Sequence, residues 1–328
     1  MRQPKSPDLR PGYPGQVNRP TILLDCDPGH DDAIALVVAG AFTRLIGVTT
    51  VSGNASLEKT TRNALLTCQL LGLEVAIHAG ASRPQIAEPR HAEFIHGASG
   101  LDGPALPPLT REPAGSDAAG FIVESASDHS DLWLVATGPL TNVAAALLRD
   151  PKLADRLAGI AIMGGGSTFG NVTAAAEFNI LSDPEAADRV FRSGANLVLA
   201  DLNLTHQFLL GESHIDRIRR LGGPVPTFVA DLLTFYSTAY ARAYSGRAEG
   251  PLHDPTAVLA LSHPELFERE RRHAVIELRG DHTRGMTVVD SRGSHRGEEA
   301  NLDLLTRIDA EAAFEVLLAA IHSYRGGS

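Results

Sequence analysis

Residues Asp25-Cys26-Asp27-Pro28-Gly29-His30-Asp31-Asp32 place four carboxylates within eight positions. An apolar run, Thr21-Ile22-Leu23-Leu24, ends just before them, and a helix-forming run, Ala33-Ile34-Ala35-Leu36-Val37-Val38, begins just after. Carboxylates this close repel, and burying them together raises their pKa unless a cation offsets the charge. Oxygen-only ligands favour a hard cation, Ca²⁺ ahead of Mg²⁺. The segment therefore reads as a metal site at the carboxyl end of a first strand, where open parallel sheets place their ligand crevice. Helix capping is the plainer alternative, since Asp caps helices and their N-termini favour negative charge. Capping accounts for one or two of these aspartates, not for four around a Pro-Gly turn.

Four further groups carry chemistry-bearing side chains. His253-Asp254-Pro255 follows the turn-forming Gly250-Pro251-Leu252 and offers another ligand oxygen and a titratable imidazole. Taken alone, it reads equally as a structural pair. Asn171-Val172 precedes Glu177-Phe178-Asn179, whose alternation predicts a strand with Glu177 and Asn179 on one face and Phe178 on the other. A polar edge strand accounts for the same pattern. Ser52-Gly53-Asn54 follows a second apolar run, and Thr137-Gly138-Pro139-Leu140-Thr141-Asn142 forms another strand-to-helix turn. The carbonyls of that turn could ligate a cation, although a capped turn is the commoner meaning. All five groups are expected at strand C-termini. Tyr236, Tyr240 and Tyr244 repeat every fourth residue and share one helix face, which packing alone also explains.

Alternating elements are needed to bring these groups together. Strands are predicted over 21–26, 45–51, 75–79, 132–136, 160–163 and 197–200, and helices over 32–42, 57–71, 117–128, 140–148 and 184–192. This βα alternation predicts a single α/β domain, Rossmann-like, with a mostly parallel central sheet flanked by helices and its site at the strand C-termini. After Asp201 the pattern changes to helices over 211–221, 225–245 and 309–323, with strands near 274–278 and 286–290. Two long irregular stretches, 80–116 and 246–254, read as binding loops.

Composition narrows the function classes. The 328 residues are 43% apolar, enough for a large core, and carry 29 Lys+Arg against 39 Asp+Glu, a net charge of −10. That balance argues against nucleic-acid binding and for an enzyme with a cation-filled site. The two cysteines, Cys26 and Cys68, suggest no disulfide framework and fit a reducing, cytoplasmic compartment. No stretch is apolar for long enough to span a bilayer. Residues 1–20 hold five prolines and no apolar segment, so they read as a flexible extension ahead of a domain over 21–328.

In order, Leu24-Asp25-Cys26-Asp27-Pro28-Gly29-His30-Asp31-Asp32-Ala33, Gly53-Asn54, Thr137-Gly138-Pro139-Leu140-Thr141-Asn142 and Met163-Gly164-Gly165-Gly166 resemble the inosine/uridine-type nucleoside hydrolases (nucleoside N-ribohydrolases). The likeness continues through Gly170-Asn171-Val172-Thr173, Ala176-Glu177-Phe178-Asn179, Asp183-Pro184-Glu185, His253-Asp254-Pro255 and Arg284-Gly285-Met286-Thr287-Val288-Val289-Asp290. It implies hydrolysis of the N-glycosidic bond of ribonucleosides to ribose and free base, in nucleoside salvage. It also implies a homo-oligomer, dimer or tetramer.

The resemblance implies roles for individual residues. Asp27, Asp32, Asp254 and the Thr137 carbonyl would hold Ca²⁺ with a water, and Asp27 would take that water's proton. Asp31, Asn54 and Asp254 would hold the ribose 2′- and 3′-hydroxyls. Asn171, Glu177 and Asn179 would bind the 5′ and 3′ side of the sugar. Asp25 would support the metal shell from behind. His253 and His96 would face the base, with His253 assisting its departure, beside an apolar wall including Phe178 and Phe94. An oxocarbenium-like ribose needs nearby negative charge, and the departing base needs a proton or hydrogen bond. The His30 motif and the His96-Gly97-Ala98-Ser99-Gly100-Leu101-Asp102-Gly103-Pro104 loop resemble pyrimidine-preferring members.

Two other readings compete. Haloacid dehalogenase-type phosphatases also open on Asp-x-Asp after a strand, but Pro28-Gly29-His30 does not fit their pattern. A nucleoside-binding protein without turnover would keep the pocket, yet every expected catalytic position is filled.

Overall fold

The computed structural model describes residues 19–292 and 298–324. Most of the predicted 1–20 extension therefore lies outside the described residues. The strands are β1 (Thr21–Cys26), β2 (Arg44–Thr50), β3 (Ala76–Ala79), β4 (Leu132–Ala136), β5 (Gly159–Met163) and β6 (Leu197–Ala200). They continue with β7 (Leu209–Gly211), β8 (Glu249–Pro251), β9 (Phe267–Arg272), β10 (Ala274–Ile276), β11 (Thr287–Val289) and β12 (Leu302–Ile308). Eight of these form one sheet in the order β3-β2-β1-β4-β5-β6-β12-β9. Every neighbouring pair is parallel except β12 with β9, which closes one edge antiparallel.

Residue alternation explains how the sheet is buried on both faces. Ile22, Leu24 and Cys26 of β1 join one core, while Leu23 joins the other. Ala161 and Met163 of β5 divide from Ile160 and Ile162 in the same way. Helices His30–Phe42, Leu57–Leu71, Pro224–Tyr240, Pro255–Ser262 and Ala310–Ser323 contribute to the first core. Helices Ala118–Asp128, Thr141–Arg149 and Pro184–Phe191 contribute to the second. All six residues of β1 are buried, as expected for a central strand covered on both sides.

Strand order reverses at the centre. From β1 the chain builds outward through β2 to β3, then returns to β4 on the other side of β1 and builds toward β6. Ligands bind at such switch points, beyond the carboxyl ends of the diverging strands. Asp27 follows β1 and Thr137 follows β4, so both stand at this position.

Several expectations need correction. Glu177 and Asn179 are not on a strand, because Glu177 caps the short helix Phe178–Ser182. Its carboxylate accepts the Asn179 and Ile180 N–H groups, so the apparent alternation reflects a cap followed by helix. His253-Asp254 does not follow a strand of the main sheet. It enters from β8, which pairs only with β7, and leads into helix Pro255–Ser262. That helix and strands β9 and β12 were absent from the expected elements. All eight residues of Pro255–Ser262 are buried, so it has no polar face and no helical periodicity to read. The helix predicted over 225–245 ends at Tyr240 and passes into a π-turn over Ala241–Ser245.

Candidate active site

The acidic motif forms the floor of a cleft at the switch point. Asp25, at the end of β1, accepts from Thr49 Oγ1 at 2.6 Å and Asn142 Nδ2 at 2.8 Å through the same oxygen. It therefore ties β1 to β2 and to helix Thr141–Arg149 from behind the site. Burial pushes its carboxyl up to about 7. Asp27 Oδ2 accepts the Asn54 N–H at 2.6 Å, whereas its Oδ1 is buried with no hydrogen-bond partner among the described residues. Asp32 Oδ2 accepts from Gly29 N at 3.0 Å and Asn54 Nδ2 at 3.2 Å. Its Oδ1 accepts from Asp27 N at 3.3 Å and Thr137 Oγ1 at 2.9 Å.

Carboxylate oxygens of Asp31, Asp32 and Asp254 lie within 4.8 Å of one another, all buried. Two unit charges about 4 Å apart repel by roughly 4 kcal/mol even at an effective dielectric near 20. Burial first, then Asp32, pushes Asp31 up to about 8. Burial, then Asp31, Asp32 and Asp27, holds Asp254 well above the usual carboxylate range. These shifts, the unpartnered Asp27 oxygen and an all-oxygen donor set fit a hard divalent cation. The tight trio contains Asp31, which the sequence assigned to ribose. Asp27 is not part of it.

The side expected to face the sugar is held together by hydrogen bonds to backbone groups. Asn179 Nδ2 donates to the Thr137 carbonyl at 2.8 Å and to the Met163 carbonyl at 3.2 Å. Glu177 accepts from Asn179 N at 2.9 Å, Gly165 N at 2.8 Å and Ile180 N at 3.0 Å. Burial outweighs those three donors and pushes Glu177 up to about 7. Asn171 Oδ1 accepts the Phe178 N–H at 2.9 Å. The Gly164-Gly165-Gly166 turn thus serves to point an N–H at Glu177, with Gly165 in the left-handed region at φ 73°.

Histidines and aromatics form the opposite wall. Both sides line one cleft. Asp31, Asn54, His96, Thr137, Asn171, Glu177, Phe178, Asn179, His253 and Asp254 all line it. Asp25, Asp27 and Asp32 are fully buried behind that lining. Tyr236, Tyr240 and Tyr244 line it too, so the tyrosine stripe faces the cleft as well as packing together. Phe94 and Tyr244 stand at the rim, 60% and 45% exposed, with ring centroids 6.5 Å apart. His253 Nδ1 pairs with Thr205 Oγ1 at 2.7 Å, and burial lowers its pKa to about 3, so the ring is neutral. Trp133 does not line the cleft.

His206 was not anticipated. Its Nε2 lies 3.3 Å from the Tyr240 hydroxyl, and its ring is 5.7 Å from that of His253. It follows the short helix Leu202–Thr205, and the only sequence signal was its place just beyond β6.

Residues 22–315 match the model of the family described as inosine-uridine preferring nucleoside hydrolase. The pyrimidine-specific ribonucleoside hydrolase RihA of Shewanella woodyi is 41% identical over 313 residues, covering 94% of this chain and 99% of that protein. The protein of the same name from an Enterobacter species is 43% identical over 300 residues, covering 90% of this chain and 96% of its own length. Among solved structures, the purine-preferring ribonucleoside hydrolase from Gardnerella vaginalis superposes with a TM-score of 0.87 at 32% identity, covering 93% of this chain and 99% of that one. The chain is a ribonucleoside hydrolase and belongs to the inosine-uridine preferring nucleoside hydrolase family.

Proposed function

We propose that this chain is a Ca²⁺-dependent hydrolase of pyrimidine ribonucleosides, releasing ribose and free base. The observation that carries the metal reading is the buried convergence of Asp31, Asp32 and Asp254, with the Asp27 oxygen also unpartnered among the described residues. The names of the relatives from Shewanella and Enterobacter support the pyrimidine preference.

Asp27, Asp32, Asp254 and the Thr137 carbonyl would hold the cation. A bound Ca²⁺ would offset the cluster's negative charge and supply Lewis-acid activation of water. Asp27 would accept a proton from the attacking water through Oδ1, its oxygen without a hydrogen-bond partner among the described residues. Asp31, Asn54 and Asp254 grip the vicinal hydroxyls, and Asn171, Glu177 and Asn179 orient the rest of the sugar. Their negative charge and dipoles stabilise an oxocarbenium-like ribose. Phe178 packs against the substrate. His253 and His96 face the base, where a neutral imidazole donates a hydrogen bond as the leaving group gains charge. Asp25 holds the metal shell from behind through Thr49 and Asn142. Two buried free cysteines support a cytoplasmic location, and a homo-oligomer is the assembly to look for by light scattering.

A panel of ribonucleosides assayed for base release, with chelator and after Ca²⁺ return, tests the reading. Uridine and cytidine should exceed inosine and adenosine, and turnover should follow Ca²⁺. Faster purine turnover would overturn the base preference, and full activity without metal would overturn the mechanism.

A further inference from the structure

The backbone and the ring of His253 are held by different parts of the chain. Its carbonyl accepts from Thr256 N at 3.1 Å and from Thr256 Oγ1 at 2.5 Å, as the chain turns into helix Pro255–Ser262. The ring is held from across the fold. Thr205 Oγ1 stands 2.7 Å from His253 Nδ1, and among the described residues this is the only hydrogen bond that either side chain makes.

That isolation fixes the direction of the bond. Thr205 is fully buried, and a hydroxyl has one proton to donate. If His253 Nδ1 donated, the Thr205 proton would be buried with no acceptor among the described residues, at the full desolvation cost of that group. If the hydroxyl donates, its proton is satisfied. Nδ1 is then the acceptor, and a ring with a bare Nδ1 carries its proton on Nε2. His253 lines the cleft and Thr205 does not, so the hydroxyl holds the ring from behind and Nε2 is the nitrogen left for a ligand.

The donor is itself firmly placed. Thr205 ends the short helix Leu202–Thr205, which Asp201 caps by accepting from Leu204 N at 3.1 Å. Leu202 N donates to the Gly165 carbonyl at 2.9 Å, and Ser167 N donates to Asp201 Oδ2 at 2.8 Å. The helix is thereby tied to the glycine turn whose Gly165 N–H also holds Glu177. The next residue, His206, meets the Tyr240 hydroxyl at 3.3 Å. Two consecutive residues outside the cleft lining therefore brace two groups of one cleft wall.

We propose that Thr205 is a positioning residue for base departure, its hydroxyl donating to His253 Nδ1 so that the Nε2 proton is presented to the nucleobase. This rests on the reading that His253 faces the base of a bound nucleoside. Thr205→Val keeps the shape of the side chain but removes the hydroxyl, and with it the ring's hydrogen bond, while the backbone bonds of His253 remain. Thr205→Ser keeps the hydroxyl.

Steady-state kinetics of the Ca²⁺-loaded full chain should compare uridine with 4-nitrophenyl riboside, whose leaving group departs unprotonated. Thr205→Val should lower kcat for uridine roughly tenfold, the weight of one buried hydrogen bond, with KM little changed and much less loss on the nitrophenyl substrate. Thr205→Ser should recover most of that loss. Equal losses on both substrates, no loss on uridine, or no recovery with serine would overturn the proposal. His253→Ala separates the two levels. If it slows uridine selectively while Thr205→Val does not, only the role of Thr205 fails. If it leaves uridine turnover unchanged, or slows both substrates alike, the base-facing reading of His253 fails and takes the proposal with it. A readout on the unsubstituted chain does not depend on any variant's turnover. The ¹⁵N shifts of His253, identified by their loss in His253→Ala, should show a protonated Nε2 and a bare Nδ1. A protonated Nδ1 would overturn the proposal.

Discussion

The backbone N–H of Asn54 donates to Asp27 Oδ2 at 2.6 Å, leaving Asp27 Oδ1 as a buried oxygen with no partner among the described residues. One carboxylate oxygen is thereby anchored by the loop after β2, and the other is free for a cation or a water. The anchoring is close enough that added bulk has no place. A Cβ at Gly53 would meet Asp27 Oδ2 at 2.0 Å, and one at Gly138 would meet Oδ1 at 2.6 Å. Asp27→Ala should lower kcat by roughly 10²–10⁴-fold, the range for removal of a general base. Gly53→Ala should also lose activity by displacing that carboxylate. Base-release kinetics beside a Ca²⁺ titration check both; unchanged turnover in Asp27→Ala would remove it from the mechanism.

Without a cation the acidic cluster should make stability pH-dependent. Asp31 is pushed up to about 8 in the fold, against an ordinary 3.8. Between those values the fold binds more protons than the unfolded chain, so stability falls as pH rises. The Tm of chelated protein should therefore drop from about pH 5 to pH 8, and Ca²⁺ should flatten that slope. Binding should also release protons, because ligand carboxylates must ionise. Calorimetry in buffers of different ionisation enthalpy measures that release. Binding with no proton release at pH 7 would contradict the protonated cluster.

Sugar recognition predicts strong discrimination. Asp31, Asn54 and Asp254 line the cleft, with Asp31 and Asp254 in the buried acidic cluster. A site built to hydrogen-bond a hydroxyl rejects the analogue lacking it by on the order of 10⁴-fold. Uridine should exceed 2′-deoxyuridine in kcat/KM by about that factor. Uridine 5′-phosphate should also fail, because a second negative charge would approach Glu177. Equal rates for the ribo- and deoxyribonucleosides would show the hydroxyl contacts to be misassigned.

Leaving-group assistance separates natural from activated substrates. His253 is neutral and held by Thr205 at 2.7 Å. His253→Ala should slow uridine by roughly 10²–10⁴-fold and slow 4-nitrophenyl riboside much less. Similar losses on both would mean that the ring orients the sugar or Asp254. Tyr240→Phe, which cuts the hydroxyl contact to His206, then tests the other side of the same wall.

The local sequence determined the acidic motif's position between strand and helix, the parallel α/β class and most of the first six strands. Those features rest on runs of neighbouring residues: β1 carries the apolar run Ile22-Leu23-Leu24, and the Pro-Gly turn follows its end. It also set the identities of the polar groups that meet in the cleft. Tertiary structure decided what those groups do to each other. Glu177 caps its helix through the local Asn179 and Ile180 N–H groups, but its carboxylate is also held by the Gly165 N–H, which only the fold brings to it. Strand β12 was illegible because its role in the sheet depends on pairing with β6 and β9, both distant in sequence. Asp254 joined Asp31 and Asp32 only because the buried helix Pro255–Ser262 packs against helix His30–Phe42. His206 found Tyr240, and His30 found His96, through contacts 34 and 66 residues apart. Periodicity reports which face a residue occupies on its own element, whereas these pairings depend on where two elements meet.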